Sequence, residues 1–204
     1  MKRDISDDVV NLDLAWVQDM NAAKETFAPA YAILKRMIDK GLILIPLEGI
    51  KTTECATLDR KYGFDYWGFT SDHLQFGVAW RDQKIKHGRK PFNAFSVRAV
   101  RETGVETEYT KRKHAIENQE PFPHYWVHVF HDEETKEILS MAVTTTKDLI
   151  SYIDTYKPEL KDTGPDQIGQ ASFYPVFWKD MIEKRKYNII TYTKENGIVR
   201  GIKQ

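Results

Sequence analysis

The run from Tyr62 to Arg98 constrains this chain more than any other stretch. It contains Tyr62-Gly-Phe-Asp-Tyr-Trp-Gly-Phe69, a polar turn over residues 70–73, Leu74-Gln-Phe-Gly-Val-Ala-Trp-Arg-Asp-Gln-Lys84, a basic loop, and Phe92-Asn-Ala-Phe-Ser-Val-Arg98. Aromatic and β-branched residues crowd each run, and Gly, Pro and polar residues separate them. Three consecutive strands in a β-meander are the expectation.

The flanks add helices and further strands. Residues 1–20 fit a short strand or an amphipathic helix. Asn21 can cap a helix over residues 22–40, kinked or delayed by Pro29 and stopped by Gly41. Leu42 to Leu47 reads as a buried strand or extended connector, and Thr52 to Lys61 as a helix. After the meander, residues 106–118 read as a charged helix with Tyr109 and Ile116 on its apolar side, its acids preceding its bases as the helix dipole favours. A hairpin over residues 124–130 and 138–144, a helix over 147–156, a loop over 161–169 and at most two more strands and a helix complete the chain.

At 204 residues and 41% apolar, one sizeable core is affordable. The expected fold is α/β or α+β, one domain over residues 1–204: an N-terminal helical extension (1–50), a core (51–156) with a central mixed sheet flanked by helices, and a C-terminal appendage (157–204). Lys plus Arg and Asp plus Glu are 30 each, so no global field advertises a polyanionic partner. The single Cys55 permits no intrachain disulfide and reads as a small buried hydrophobe. No apolar run is long enough to span a bilayer, and the N-terminus lacks the apolar segment of a secretion signal. A soluble, cytoplasmic protein is expected.

The best candidate chemistry is Asp65 on the first strand followed by Asp82-x-Lys84 on the second. Side chains 82 and 84 share a strand face. Carboxylates beside a lysine suit phosphodiester hydrolysis, which needs a hard cation to stabilise phosphate charge and acidify a bound water. The order helix, three strands, helix, strand from Thr52 to Phe130 resembles the αβββαβ core of the PD-(D/E)XK, or restriction-endonuclease-like, nuclease superfamily. That resemblance implies Mg²⁺ held by Asp65 and Asp82, Lys84 beside the attacking water, Glu54 as an extra carboxylate, and DNA as substrate. Phe64, not the family's Pro, precedes Asp65. A second register of the strand places Ala79 and Arg81 at the acid and lysine positions instead.

Residues 81–113 carry ten basic side chains against four acidic. Arg81, Lys86, Arg89, Lys90 and Arg98 are the candidates for holding a phosphate backbone, with the loop Lys84-Ile-Lys-His-Gly-Arg-Lys-Pro91 the densest part. His124, His128 and His131 look like a metal cluster on paper, but on a strand 131 faces away from the other two. Three functions follow: a metal-dependent nuclease acting on DNA; a catalytically inactive protein on the same scaffold that binds nucleic acid or a protein partner through the basic loop; and an interaction protein that forms a homodimer through a sheet edge.

Overall fold

An eleven-residue strand, β3 (Gln75–Ile85), is the axis of the molecule. In the computed structural model, which describes residues 25–47, 52–101, 106–162 and 171–201, β3 lies third in a seven-stranded mixed sheet. The other members are β1 (Ile43–Pro46), β2 (Tyr66–Phe69), β5 (Tyr125–Asp132), β6 (Ile138–Thr145), β9 (Ile189–Thr193) and β10 (Gly197–Gly201), in the order β1-β2-β3-β5-β6-β9-β10. Every pairing is antiparallel except β3 with β5, which runs parallel from Val78 opposite Tyr125 to Ile85 opposite Asp132. A second, three-stranded sheet contains β4 (Ala94–Arg101), β8 (Ala171–Phe177) and β7 (Lys161–Asp162), with β4 pairing β8 and β8 pairing β7.

The helices are α1 (residues 25–37), α2 (Thr53–Arg60), α3 (Glu108–Glu117), α4 (Thr146–Tyr156) and α5 (Trp178–Lys184). Their starts follow local chemistry. Thr52 caps α2 by accepting the Cys55 N–H, Thr145 caps α4 by accepting the Asp148 N–H, and at α3 the Thr107 N–H bonds the Thr110 hydroxyl at 2.9 Å. The chain passes through Pro29 within α1, and the Asn21 cap lies outside the described residues.

Alternation along β3 divides the core in two. Phe76 and Val78, with Val127, Val129, Met141 and Val143, pack against Ala30, Leu34 and Met37 of α1. Ala79 and Ile85, with Trp126, Phe130 and Ala142, face Leu149 and Ile153 of α4 and Phe95, Val97 and Val176 of the smaller sheet. Gly77 sits on this second face because a Cβ there would fall inside the Phe64 ring. The large sheet is thus a middle layer, with α1 on one side and α3, α4, α5 and the small sheet on the other.

Three expectations are corrected. The strands of residues 62–98 do not form a meander: β4 leaves the sheet after β3 to pair with β8, and β5 takes the edge of β3 that β4 would have filled. Residues 157–204 are no appendage, since β9 lies inside the large sheet against β6, and β8 builds the small one. The N-terminal part is likewise more than a helical extension, because β1 pairs with β2 and α1 covers one core. Among the described residues no helix is long and apolar enough to cross a membrane.

Candidate functional site

The basic loop joins β3 to β4 and stands off the end of the large sheet. A turn closes it, with the Arg89 N–H on the Lys86 carbonyl at 3.0 Å. The turn is tied down: the ring nitrogen Nδ1 of His87, one of its central residues, is 2.8 Å from Asp132 Oδ2. Asp132 is a strong anchor because its other oxygen accepts the Thr135 and Glu134 N–H groups, each at 2.9 Å. These bonds and the His87 ring hold its carboxyl down at about 2, and Asp132 in turn raises the His87 pKa. Lys86, Arg89 and Lys90 are exposed and form no ion pair with another described residue. Phe92, at the loop's end, is also exposed, with its ring edge on Phe130 at 4.8 Å.

Asp65 lies where β2 and β3 part. Its main chain continues the ladder, donating to the Val78 carbonyl and accepting from the Leu47 N–H, and its carboxylate accepts the Trp80 N–H at 2.5 Å. Tyr66 stacks on Phe27 of α1, so alternation assigns Asp65 to the α3 side. Its charged neighbours there are Arg112 and Glu108 of α3 and Asp59 of α2. Burial pushes the Asp65 carboxyl up to about 6, with Asp59 and Glu108 adding to the rise and the Trp80 bond and Arg112 opposing it.

The same side holds Arg81, whose guanidinium pairs with Glu108 and donates to the Ser96 carbonyl at 2.6 Å. Glu108 also accepts the main-chain N–H of Arg98, which is half-buried on β4. Arg112 is buried over the Trp126 ring and donates to the Tyr62 and Gly63 carbonyls. Gly63, at φ 65°, takes the left-handed turn and leaves room for that guanidinium, which a Cβ would strike. His128, opposite Arg81 on β5, is fully buried against Phe130, with neither ring nitrogen hydrogen-bonded among the described residues. Burial, with Arg81 nearby, keeps it neutral and its pKa well below the usual value.

Asp82 occupies the opposite, α1 side of β3. One carboxylate oxygen accepts the hydroxyl of Thr26 on α1, and the other lies 2.6 Å from His131 Nδ1. The pair is sequestered, with side chains 10% and 4% exposed, and His131 Nε2 has no partner among the described residues. Lys84 follows Asp82 on that side, opposite His131 in register, and is exposed. Glu54 is exposed in the first turn of α2 and bonds none of these residues.

β3 therefore runs through Asp82 and Lys84 as strand, but Asp65 and Asp82 have separate partners on separate faces. Among the described residues no group of three or more His, Cys, Asp or Glu side chains is placed to hold a metal ion. The three histidines are apart as well: His128 and His131 face opposite cores, and His124 accepts the Gly77 N–H before β5 begins. The Arg81 guanidinium is committed to Glu108, and Arg98 lies on β4 with its main-chain N–H on the same carboxylate, whereas Lys86, Arg89 and Lys90 are together on the loop. Thr26, Glu108, Arg112 and the Asp132 anchor carried no motif; only the strand pairing brings them into the site.

No protein-family model matches the chain, and neither curated proteins nor solved structures give a match.

Proposed function

We propose that this protein binds the phosphate backbone of a nucleic acid through the β3–β4 loop, without using Asp65 and Asp82 as a shared metal site. The observation that carries the reading is the exposed trio Lys86, Arg89 and Lys90, held about a turn that His87, one of its central residues, ties to Asp132. Clamping matters because a phosphate contact gains most when the cation need not be ordered on binding. Phe92 offers a ring beside the cations on which a base can stack.

A scaffold of the restriction-endonuclease-like kind is part of the proposal, with strands counted differently from the sequence reading. β1, β2 and β3 supply the three antiparallel strands, α3 the crossover and β5 the parallel fourth, and β4 is an excursion into the small sheet. Asp65 then stands at the start of the second strand, with Ala79 and Arg81 of the third strand on its side. A metal site on that face lacks its second strand carboxylate, which favours binding over hydrolysis.

Fluorescence anisotropy with a labelled duplex and a labelled single strand, over a series of salt concentrations, tests the reading. Wild type is expected to bind with a negative log–log salt slope. Replacing Lys86, Arg89 and Lys90 together by Ala should weaken binding at least tenfold and reduce the slope by about 2 to 3, roughly one unit per lost phosphate contact. Equal binding by wild type and triple variant, or none by either, rules the loop out. Mg²⁺-dependent plasmid nicking that disappears in both Asp65→Ala and Asp82→Ala would establish the nuclease instead.

A further inference from the structure

A second concave site lies at the far end of β5 from the basic loop, between the C-terminal end of α3, the segment 122–125 and the start of α4. Its volume is about 540 Å³, within the range of small-molecule pockets. Two aromatic side chains, Phe122 and Tyr125, line it, and Lys147 reaches over the Phe122 ring with Nζ 5.8 Å from the centroid. Tyr125 is braced by the edge of Phe76 at 5.0 Å, so the apolar wall is tied to the α1 core.

The polar lining is biased toward an anion. His124 is held by the main chain of Gly77 in both directions: its N–H donates to the Gly77 carbonyl at 2.8 Å, and its ring Nδ1 accepts the Gly77 N–H at 3.0 Å. Nδ1 is therefore the acceptor, and in the neutral ring Nε2 carries the proton and is a donor. Thr145 and Lys147, the cap and the second residue of α4, open that helix's N-terminus on the cavity. The first-turn amides of Thr146 and Asp148 go to the His124 carbonyl and the Thr145 hydroxyl, which leaves the Lys147 N–H with no partner among the described residues. A cation, an imidazole and a helix N-terminus thus line one aromatic-walled cavity, a set of groups that suits a phosphate attached to a planar ring. Gln119 and Glu120 also line the cavity and offer an amide and an acceptor to hydroxyl or ring N–H groups. Glu120 makes the site unsuitable for a polyphosphate, whose extra charge it would repel.

We infer that this cavity binds a nucleoside 5′-monophosphate, its phosphate on Lys147, His124 and the start of α4 and its base against Phe122 and Tyr125. The ligand is either a free nucleotide or the 5′-phosphorylated end of a strand. This inference rests on no part of the loop reading.

The test is an NMR titration of the full-length, ¹⁵N-labelled chain with AMP, adenosine and inorganic phosphate, and with a short oligothymidylate bearing a 5′-phosphate or a 5′-hydroxyl. Saturable shifts centred on Tyr125, Thr145 and Lys147 are expected with AMP, with adenosine and phosphate each binding more weakly. Lys147→Met, on an exposed side chain, should weaken AMP at least tenfold, as the loss of one charge-assisted phosphate contact predicts. Phe122→Ala should weaken it with the fold unchanged by circular dichroism, and the triple loop variant should leave it intact. Entry of the 5′-phosphorylated oligonucleotide at the same resonances identifies a strand end as the ligand, and its exclusion identifies the free nucleotide. Absence of saturable shifts with AMP in wild type, or undiminished binding by both Lys147→Met and Phe122→Ala, overturns the inference.

Discussion

Asp65 takes up a proton more readily in the folded chain than in the unfolded one, since burial raises its carboxyl from 3.8 to about 6. Between those values the native state binds more protons, so acidification through this window adds stability, on the order of 3 kcal/mol, that is absent again above pH 6. His128 acts in the opposite direction. Its folded pKa is well below 6.5, so the unfolded chain binds more protons as pH falls under that value, and stability is lost. The two contributions offset one another in wild type. Asp65→Asn removes one of them, and its unfolding free energy should fall more steeply than that of wild type between pH 6.5 and 4.5. Urea titrations across that range are the check, and parallel curves for the two proteins would refute it. Both residues were visible in the sequence, Asp65 as a strand acid and His128 as one of three spaced histidines. Their surroundings were not, because the side of the sheet a residue occupies depends on pairing partners far along the chain.

At the scale of elements, α1 is attached to the sheet by more than its apolar stripe. Thr26, Asp82 and His131 form a chain of hydrogen bonds from the helix through β3 to β5, nearly sealed from water. Removing the middle member leaves the buried His131 ring without its carboxylate and breaks the link to Thr26, so Asp82→Ala should cost about 2 to 4 kcal/mol. Native-state hydrogen exchange should show the loss as faster exchange in α1 than in α4, and equal effects on both helices would count against the tether. Strands and helices were largely legible from composition and capping residues. α3 was legible in extent, but its buried side was not: Arg112 and Ala115 face inward while Tyr109 and Ile116 are only partly covered. A guanidinium that satisfies the Tyr62 and Gly63 carbonyls reads in sequence as one more surface charge. The misplacement of β4 has a similar cause, since neighbouring strands usually pair and nothing local reports that β5 takes that edge.

For the whole molecule, neutrality is a sum over separated features. Lys86, Arg89 and Lys90 stand exposed together at one end of β3, the Asp65–Glu108 carboxylates are matched by Arg81 and Arg112 inside, and the net figure of zero describes neither place. The layered arrangement, a mixed sheet between α1 and the small sheet, follows from the alternation along β3. The parallel seam at its centre joins residues about fifty positions apart, whereas β5 and β6 meet across a short turn. Loop closure is costly before distant contacts reward it, so the β5–β6 hairpin is the natural early structure on which the rest assembles. Stopped-flow chevrons should therefore find Val143→Ala in β6 slowing refolding, and Ile198→Ala in β10 mainly speeding unfolding; the reverse pattern would place the nucleus elsewhere. During synthesis the order of emergence is unhelpful: β3 leaves the ribosome well before β5 exists, with an unfilled edge and the apolar residues Phe76, Val78 and Ala79 uncovered. The nascent chain is then at its most vulnerable to association with its neighbours, and the interval closes only when the middle of the protein has been made.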